Sequence, residues 1–463
     1  MTTLVWFRSD LRLADNHALA AAASRGAVVP VFVWAPEEED GWPPGAASRW
    51  WLHHSLAALE RALERQGSRL VIRRGPADHA LAGLMAETGA DAVFWNRRYE
   101  PAAVARDARL KRSLPGAQSF NGALLHEPWT VATGGGTPYQ VFTPFWRTLR
   151  SLGPPQAPLP APRLARPPCK PPSARPHDLG LLPDVAWDGG LAACWKPGEA
   201  GAAEALDAFA ERSARYADDR DLPARPSSRL SPHLHHGELS PRQVWHAVTR
   251  SAGAAAEPYL RQLAWREFAH HLLYHHPASA EQPLRPGFGR MPWRDDPTAL
   301  AAWRQGRTGY ALVDAGMRQL WQTGTMHNRV RMVVASFLVK HLLIDWREGE
   351  RWFWDTLVDA DAASNPANWQ WVAGCGADAV PYFRVFNPIL QGAKFDPLGD
   401  YVRRWVPELA GLPTALIHQP WKAAPLELES AGVRLGTSYP EPIVEHRAGR
   451  ERALVAYAKL RAA

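Results

Sequence analysis

Between residues 154 and 176 the chain carries ten prolines, in wording such as "LPAPRLARPPCKPPSARP". A proline lacks the backbone N–H and fixes its own φ, so this stretch cannot be a helix or a central strand. It reads as a semi-rigid connector running over the surface, and it divides the 463 residues into two parts that must fold by different rules. A chain of this length is also too long for one ordinary core, and two or three units are expected.

Before the connector, strand and helix signals alternate. "TLVWF" (3–7), "VVPVFVW" (28–34), "RLVIR" (69–73) and "DAVFWN" (91–96) are short β-branched and aromatic runs, and helical patterns lie between them at 16–24, 49–66 and 76–89. Near-continuous apolar strands separated by helices predict a doubly wound parallel sheet covered on both faces. "TGGGTPYQVF" (133–142) reads as a loop and lacks the glycine spacing of a dinucleotide or phosphate-loop fingerprint. After the connector the pattern turns helical. Apolar residues recur at three- and four-residue spacing over 202–215, 241–250, 258–276, 297–305, 310–322, 326–343 and 350–358. The expected fold class is therefore α/β plus all-α: an α/β domain over 1–130, a proline-rich linker over 131–199 and an all-helical domain over 200–463.

Three cysteines, odd in number and far apart, supply neither a disulfide framework nor a four-cysteine cluster. Arg8 and Asp10 come too early for a signal peptide, and no apolar run reaches the ~20 residues of a membrane span, so a cytoplasmic protein with no membrane role is expected. A net charge of +7 suits a polyanionic partner such as nucleic acid. Histidine pairs (His270–His271, His275–His276, His233 with His235–His236) lack the intervening glutamate of a zinc protease, and no metal site is assigned.

Four segments of the helical part can carry chemistry. "PSSRLSPHLHHGELSPR" (226–242) gathers Ser227, Ser228, Arg229 and Ser231 where hydroxyls and backbone N–H groups could hold a diphosphate. In "YLRQLAWREF" (259–268), Tyr259, Gln262 and Arg266 share a helical face bordered by Trp265. In "TMHNRVRM" (325–332), Asn328, Arg331 and Met332 share another, and Arg331 requires a carboxylate if buried. "DADAASNPANWQW" (359–371), read as a polar loop, offers Asp359 and Asp361 to that arginine or to sugar hydroxyls, an asparagine amide to a ring nitrogen, and Trp369 and Trp371 to different neighbours.

Taken in this order, and with "LVWFRSDLRLADNHAL" (4–19), "WNRRYEP" (95–101), "VFTPFWR" (141–147), "PYFRVFNP" (381–388) and "VPELA" (406–410), the chain resembles the photolyase/cryptochrome family over nearly its whole length. The resemblance implies an α/β antenna domain, a wrapping linker and a helical FAD domain. It implies light-driven repair of cyclobutane pyrimidine dimers in UV-damaged DNA by a monomeric protein, with (6-4) photolyase or non-repairing cryptochrome as alternatives. On the family's FAD-binding positions fall Tyr216, Ser227, Ser228, Arg229, Leu230, Ser231, Tyr259, Gln262, Arg266, Asn328, Arg331, Asp359, Ala360, Asp361 and Asn365, with Asn365 facing flavin N5 and Asp359 pairing Arg331. On its DNA- and lesion-contacting positions fall Arg220, Gln262, Trp265, Asn328, Arg329, Met332, Trp371 and Gln391, while Trp369, Trp346 and Trp293 match its electron-transfer chain. Gln262 stands where cyclobutane-dimer enzymes usually carry glutamate, which resembles the (6-4) enzymes; Met332 stands where those have histidine. Ala102 and Ala103 replace polar ligands of one folate-binding branch. Methenyltetrahydrofolate is the expected second chromophore, with deazaflavin the alternative.

Overall fold

The computed structural model describes residues 1–39, 41–166, 169–378 and 383–462. Pro381 and Tyr382, the first two residues of "PYFRVFNP", lie outside them. The chain divides into two compact units. The first comprises Met1–Ala217, Ser228–Pro277 and Val358–Ala363, the second Asp218–Ser227, Ala278–Leu357 and Ser364–Ala463.

The first unit opens with five parallel strands, β1 (Thr2–Phe7), β2 (Ala27–Trp34), β3 (Val71–Arg74), β4 (Ala92–Asn96) and β5 (Gln118–Phe120), in the order β3-β2-β1-β4-β5. Helices α1 (His17–Arg25), α2 (Ala46–Arg65), α3 (Ala77–Thr88) and α4 (Pro101–Ser113) connect them. Successive strand residues point to opposite faces, and both faces are apolar. Val5, Phe7, Phe32 and Ile72 pack with Leu19, Leu56 and Leu63 on one side, and Trp6, Val31, Val71 and Val93 pack with Leu81, Leu84 and Leu110 on the other. The predicted doubly wound sheet is present. Its fifth strand and α4 are not expected from the sequence, because "QSF" is too short to show a period and α4 scatters five charged residues among small alanines.

The remaining helices of the first unit are α5 (Phe142–Ser151), α6 (Gly189–Cys194), α7 (Glu199–Ala210), α8 (Tyr216–Asp219, which ends in the second unit), α9 (Ser231–His235), α10 (Pro241–Ala252) and α11 (Glu257–His275). Ser240 caps α10 as its sequence predicts, accepting from the Gln243 N–H at 3.0 Å while Gln243 returns a bond to the Ser240 N–H at 2.8 Å.

The second unit holds α12 (Pro297–Arg304), α13 (Ala311–Thr323), α14 (Asn328–Ser336), α15 (Trp346–Thr356), α16 (Ser364–Ala373), α17 (Pro388–Phe395), α18 (Asp400–Trp405), α19 (Pro425–Ser430) and α20 (His446–Ala462). Two expectations need correction. The helix predicted over 326–343 ends as α14 at Ser336 and continues as a π-helical turn, Phe337–Leu342, closed by Leu343 at φ 57°. The buried Lys340 lies in that turn and donates to the Ala373 carbonyl at 2.8 Å, a bond that fixes the looser turn in place. The stretch 359–371 is not a loop throughout, for α16 begins at Ser364. Pro366 sits in its first turn, where a missing N–H costs nothing. The proline masked the helix in the sequence.

Candidate functional site

Each unit contributes a separate set of the residues singled out above. In the first, Ser228, Arg229, Leu230 and Ser231 lead into α9. Arg229 has φ 59°, a left-handed backbone rare for a side chain of this size and one that turns successive groups toward a common point. Its guanidinium donates to the Cys194 carbonyl and lies 4.3 Å from the Trp195 ring centroid. Ser228 hydrogen-bonds the Tyr259 phenol, and burial raises that phenol's pKa. Tyr259 is enclosed by Phe209 at 4.4 Å and Tyr216 at 5.0 Å between centroids, so α11 and the 213–217 segment meet through aromatic rings.

Further along α11, Trp265 lies parallel on Phe142 of α5, with centroids 3.7 Å apart and planes 7° apart. Trp265 remains half-buried while Phe142 is fully buried, so α5 backs one face of this indole. Gln262, half-buried, donates weakly to the Pro258 carbonyl at 3.4 Å and keeps its carbonyl oxygen for another partner. Arg266 Nη1 is tied to the Ala123 carbonyl at 2.7 Å.

Asp361 has His235 and His270 each at 3.7 Å and accepts the Ala363 N–H at 3.1 Å. Burial opposes its charge, yet His270, His235 and Arg266 together hold the carboxyl well below the usual range. Asp361 is thus an anion fixed in place, and Ala360 beside it is buried. The other histidines have structural roles. His271 and His275 both bond the Pro128 carbonyl, at 3.1 and 3.2 Å, and His233 pairs the buried Glu238 at 2.5 Å.

In the second unit, Asn328 opens α14 behind His327, whose Nδ1 accepts the Arg329 N–H at 3.2 Å. Asn328 is exposed, and Arg331 and Met332, three and four residues on, are half-buried on the same face. Arg331 Nε donates to the Met326 carbonyl at 2.8 Å. Arg329 pairs Asp221 at 2.6 Å and stacks 4.4 Å from the Phe395 centroid; Arg220 approaches the same aspartate at 3.9 Å. Asp221, which holds both arginines, was not singled out from the sequence, although it directly follows Arg220. Gln391 lies half-buried on α17.

On α16, Asn365 is 9% exposed, and its Nδ2 donates to the Glu350 carbonyl at 3.1 Å. Among the described residues nothing donates to its Oδ1. Trp369 and Trp371 point to opposite sides of the helix: Trp369 is buried against Phe353 (5.0 Å) and Trp303 (6.2 Å), while Trp371 is half-buried. The buried Gln370 between them secures the preceding segment, accepting the Leu284 N–H and donating to the Ser279 and Gln282 carbonyls at 2.7–2.9 Å. Trp346 is buried at the start of α15, and Trp293 packs in a cluster with Phe288, Phe383 and Tyr457. Asp359 and Ser227 are half-buried and exposed respectively.

Comparison with known proteins matches the chain to one family. Residues 3–163 match the family model described as DNA photolyase, and residues 259–459 match the FAD-binding domain of DNA photolyase. A deoxyribodipyrimidine photo-lyase of Agrobacterium fabrum is 52% identical over 99% of this chain and 98% of its own length. Cryptochrome-1 of Arabidopsis thaliana is 42% identical over 96% of this chain and 68% of its own length. Among solved structures, a bacterial class III photolyase from Agrobacterium tumefaciens superposes with a TM-score of 0.96 at 51% identity, covering 100% of this chain and 98% of that one. With two family models spanning its two ends and a full-length relative above half identity, this chain belongs to the DNA photolyase family.

Proposed function

We propose that this protein is a light-driven DNA repair enzyme, a deoxyribodipyrimidine photo-lyase that reverses cyclobutane pyrimidine dimers with FAD as its cofactor. The observation that carries the reading is Asn365. Its amide is buried and oriented by the Glu350 carbonyl, so its oxygen is the group left to accept a bond. A hydrogen-bond acceptor held this way suits a flavin N5–H, and a neutral amide here distinguishes repair from the acid that plant cryptochromes carry at that position.

The residues present fit FAD. Asp361 is an anion suited to ribose or adenine donors, and the Ser228–Ser231 turn offers hydroxyls to a diphosphate. When bound, FAD supplies light absorption and one-electron chemistry; the chain supplies orientation and electrostatics. A dimer stacks and pairs poorly, which lowers the cost of turning it out of the duplex, and photolyases are among the enzymes known to act on an extruded nucleotide. Trp265 and Trp371 provide flat apolar surfaces for the extruded bases, Trp265 stiffened from behind by Phe142. Gln262 Nε2 and the Asn328 amide can donate to pyrimidine carbonyls. Arg220 and Arg329, both beside Asp221, hold phosphates without reading sequence. Trp369, Trp346 and Trp293 carry electrons inward to restore the reduced cofactor.

For the second chromophore we infer methenyltetrahydrofolate, as in the bacterial branches related to plant cryptochromes. The protein acts as a monomer in the cytoplasm, on DNA.

One observation favours a second reading: the uncharged Gln262, a feature shared with (6-4) enzymes. Cyclobutane-dimer and (6-4) oligonucleotides assayed side by side under blue light decide between them. Restoration of the cyclobutane substrate alone is expected; restoration of the (6-4) substrate alone would reverse the assignment.

A further inference from the structure

Gly349 lies in the interior of α15, three residues after Trp346. Glycine there costs about 1 kcal/mol relative to alanine. Its backbone is not in the left-handed region that would call for it. The reason for it is a packing contact. A methyl placed on Gly349 would fall 2.1 Å from Cη2 and 2.6 Å from Cζ2 and Cζ3 of Trp369, where ordinary contact begins at 3.4 Å.

The indole therefore lies directly on the helix backbone. It is also hemmed by Phe353 and by Trp303, whose own Nε1 is anchored to the Val334 carbonyl at 3.1 Å. The next carbonyl along α15, that of Glu350, is the one that orients Asn365. One turn of α15 thus begins with Trp346, forms the floor beneath Trp369 and fixes the neighbouring amide.

We propose that Gly349 is a positioning residue for photoreduction: its missing side chain seats the Trp369 indole on α15 and so sets the spacing from Trp369 to Trp346. This rests on the electron-chain reading above. With FAD bound, Trp369 would supply one electron to the light-excited cofactor and be left as an indole radical cation. Trp346 refills it with one electron, and the hole passes outward to Trp293, whose oxidised indole sheds its N–H proton to solvent; an external thiol then returns an electron and a proton to Trp293 and is left as a thiyl radical. Transfer between rings falls steeply with separation. A Gly349→Ala methyl moves the ring from 2.1 Å toward at least 3.4 Å of that position.

The test compares wild type, Gly349→Ala, Trp369→Phe and the double variant, reading flash-induced photoreduction per bound flavin, repair by dithionite-reduced protein, and unfolding midpoints. Gly349→Ala is expected to slow photoreduction about tenfold, within the ~100-fold that a ~1 Å misplacement can cost. Repair by pre-reduced protein is retained. The unfolding cycle shows coupling between positions 349 and 369, and a crystal structure of the variant shows the indole displaced. An unchanged photoreduction rate in Gly349→Ala, with Trp369→Phe slow, overturns the role of Gly349 and leaves the chain standing; an unchanged rate in Trp369→Phe overturns the chain itself. Should Gly349→Ala be insoluble, it is placed in a Phe353→Ala background that gives the ring room. A rate equal to that of Phe353→Ala alone then refutes the inference, and a slower one supports it.

Discussion

Glu350 is 2% exposed on α15, and burial pushes its carboxyl from the ordinary 4.5 up to about 9; Arg351 and Arg347 oppose the shift, while Glu281 and Asp345 add to it. It is a neutral acid at pH 7. Between 4.5 and 9 the folded chain keeps a proton that the unfolded chain has released, so this group's contribution to stability falls as pH rises. The slope is about 1.4 kcal/mol per pH unit. From pH 7 to 9, allowing for partial ionisation near the upper end, the loss is about 2 kcal/mol. Lys340 acts across this window with the opposite sign, because burial lowers its ammonium well below 10.5, and comparing wild type with a Glu350 variant cancels that contribution. Burial raises Glu267 only to about 7, so its effect lies mostly below it, and the histidines lowered by burial (His271 and His327 to about 4, His341 to about 3) act below 6.5 with the opposite sign. Burial also raises the Cys375 thiol, from 9.0 to about 12, which takes effect above the window. Glu350→Gln copies the neutral acid in shape and cannot ionise. Urea unfolding followed by circular dichroism at pH 7, 8 and 9 should show the variant gaining about 2 kcal/mol on wild type across the series. Parallel curves for the two proteins would refute the argument that Glu350 is held neutral.

Other substitutions probe the residues proposed to contact DNA. Asp221→Asn releases Arg329 and Arg220 from a shared carboxylate; binding to undamaged duplex should tighten and its salt dependence should steepen by about one phosphate contact, checked by fluorescence anisotropy across a salt series. Phe142→Ala removes a fully buried ring from beneath Trp265 and should cost ~3–5 kcal/mol in unfolding. It should also weaken binding to dimer-bearing DNA more than to intact DNA, as competition binding would show.

Much of this was legible because β1, β2 and β4 each carry a run of four or more apolar residues and because Ser240–Pro241 is an unambiguous helix start. Features that depend on distant partners were not. Gly349 looks like a weak point in a helix until the Trp369 ring is found on it. Phe142 belongs to the "VFTPFWR" motif, but nothing local tells that its ring lies flat on Trp265. Asp221 sits in a polar stretch where one carboxylate reads like any other, until two arginines converge on it. The helix α16 was concealed by Asn365–Pro366, a pair that reads as a turn yet is tolerated in a first helical turn. Glu350 carries no local sign of its burial, since three of the six residues flanking it are charged.

The most direct measurement is repair of an oligonucleotide bearing one cyclobutane dimer by purified, flavin-reduced protein, in parallel under blue light and in darkness. Restoration of intact thymines only in the illuminated sample is expected. Equal restoration in the dark, or none in the light from protein that binds the damaged strand and retains FAD, would contradict photon-driven electron transfer as the activity of this chain.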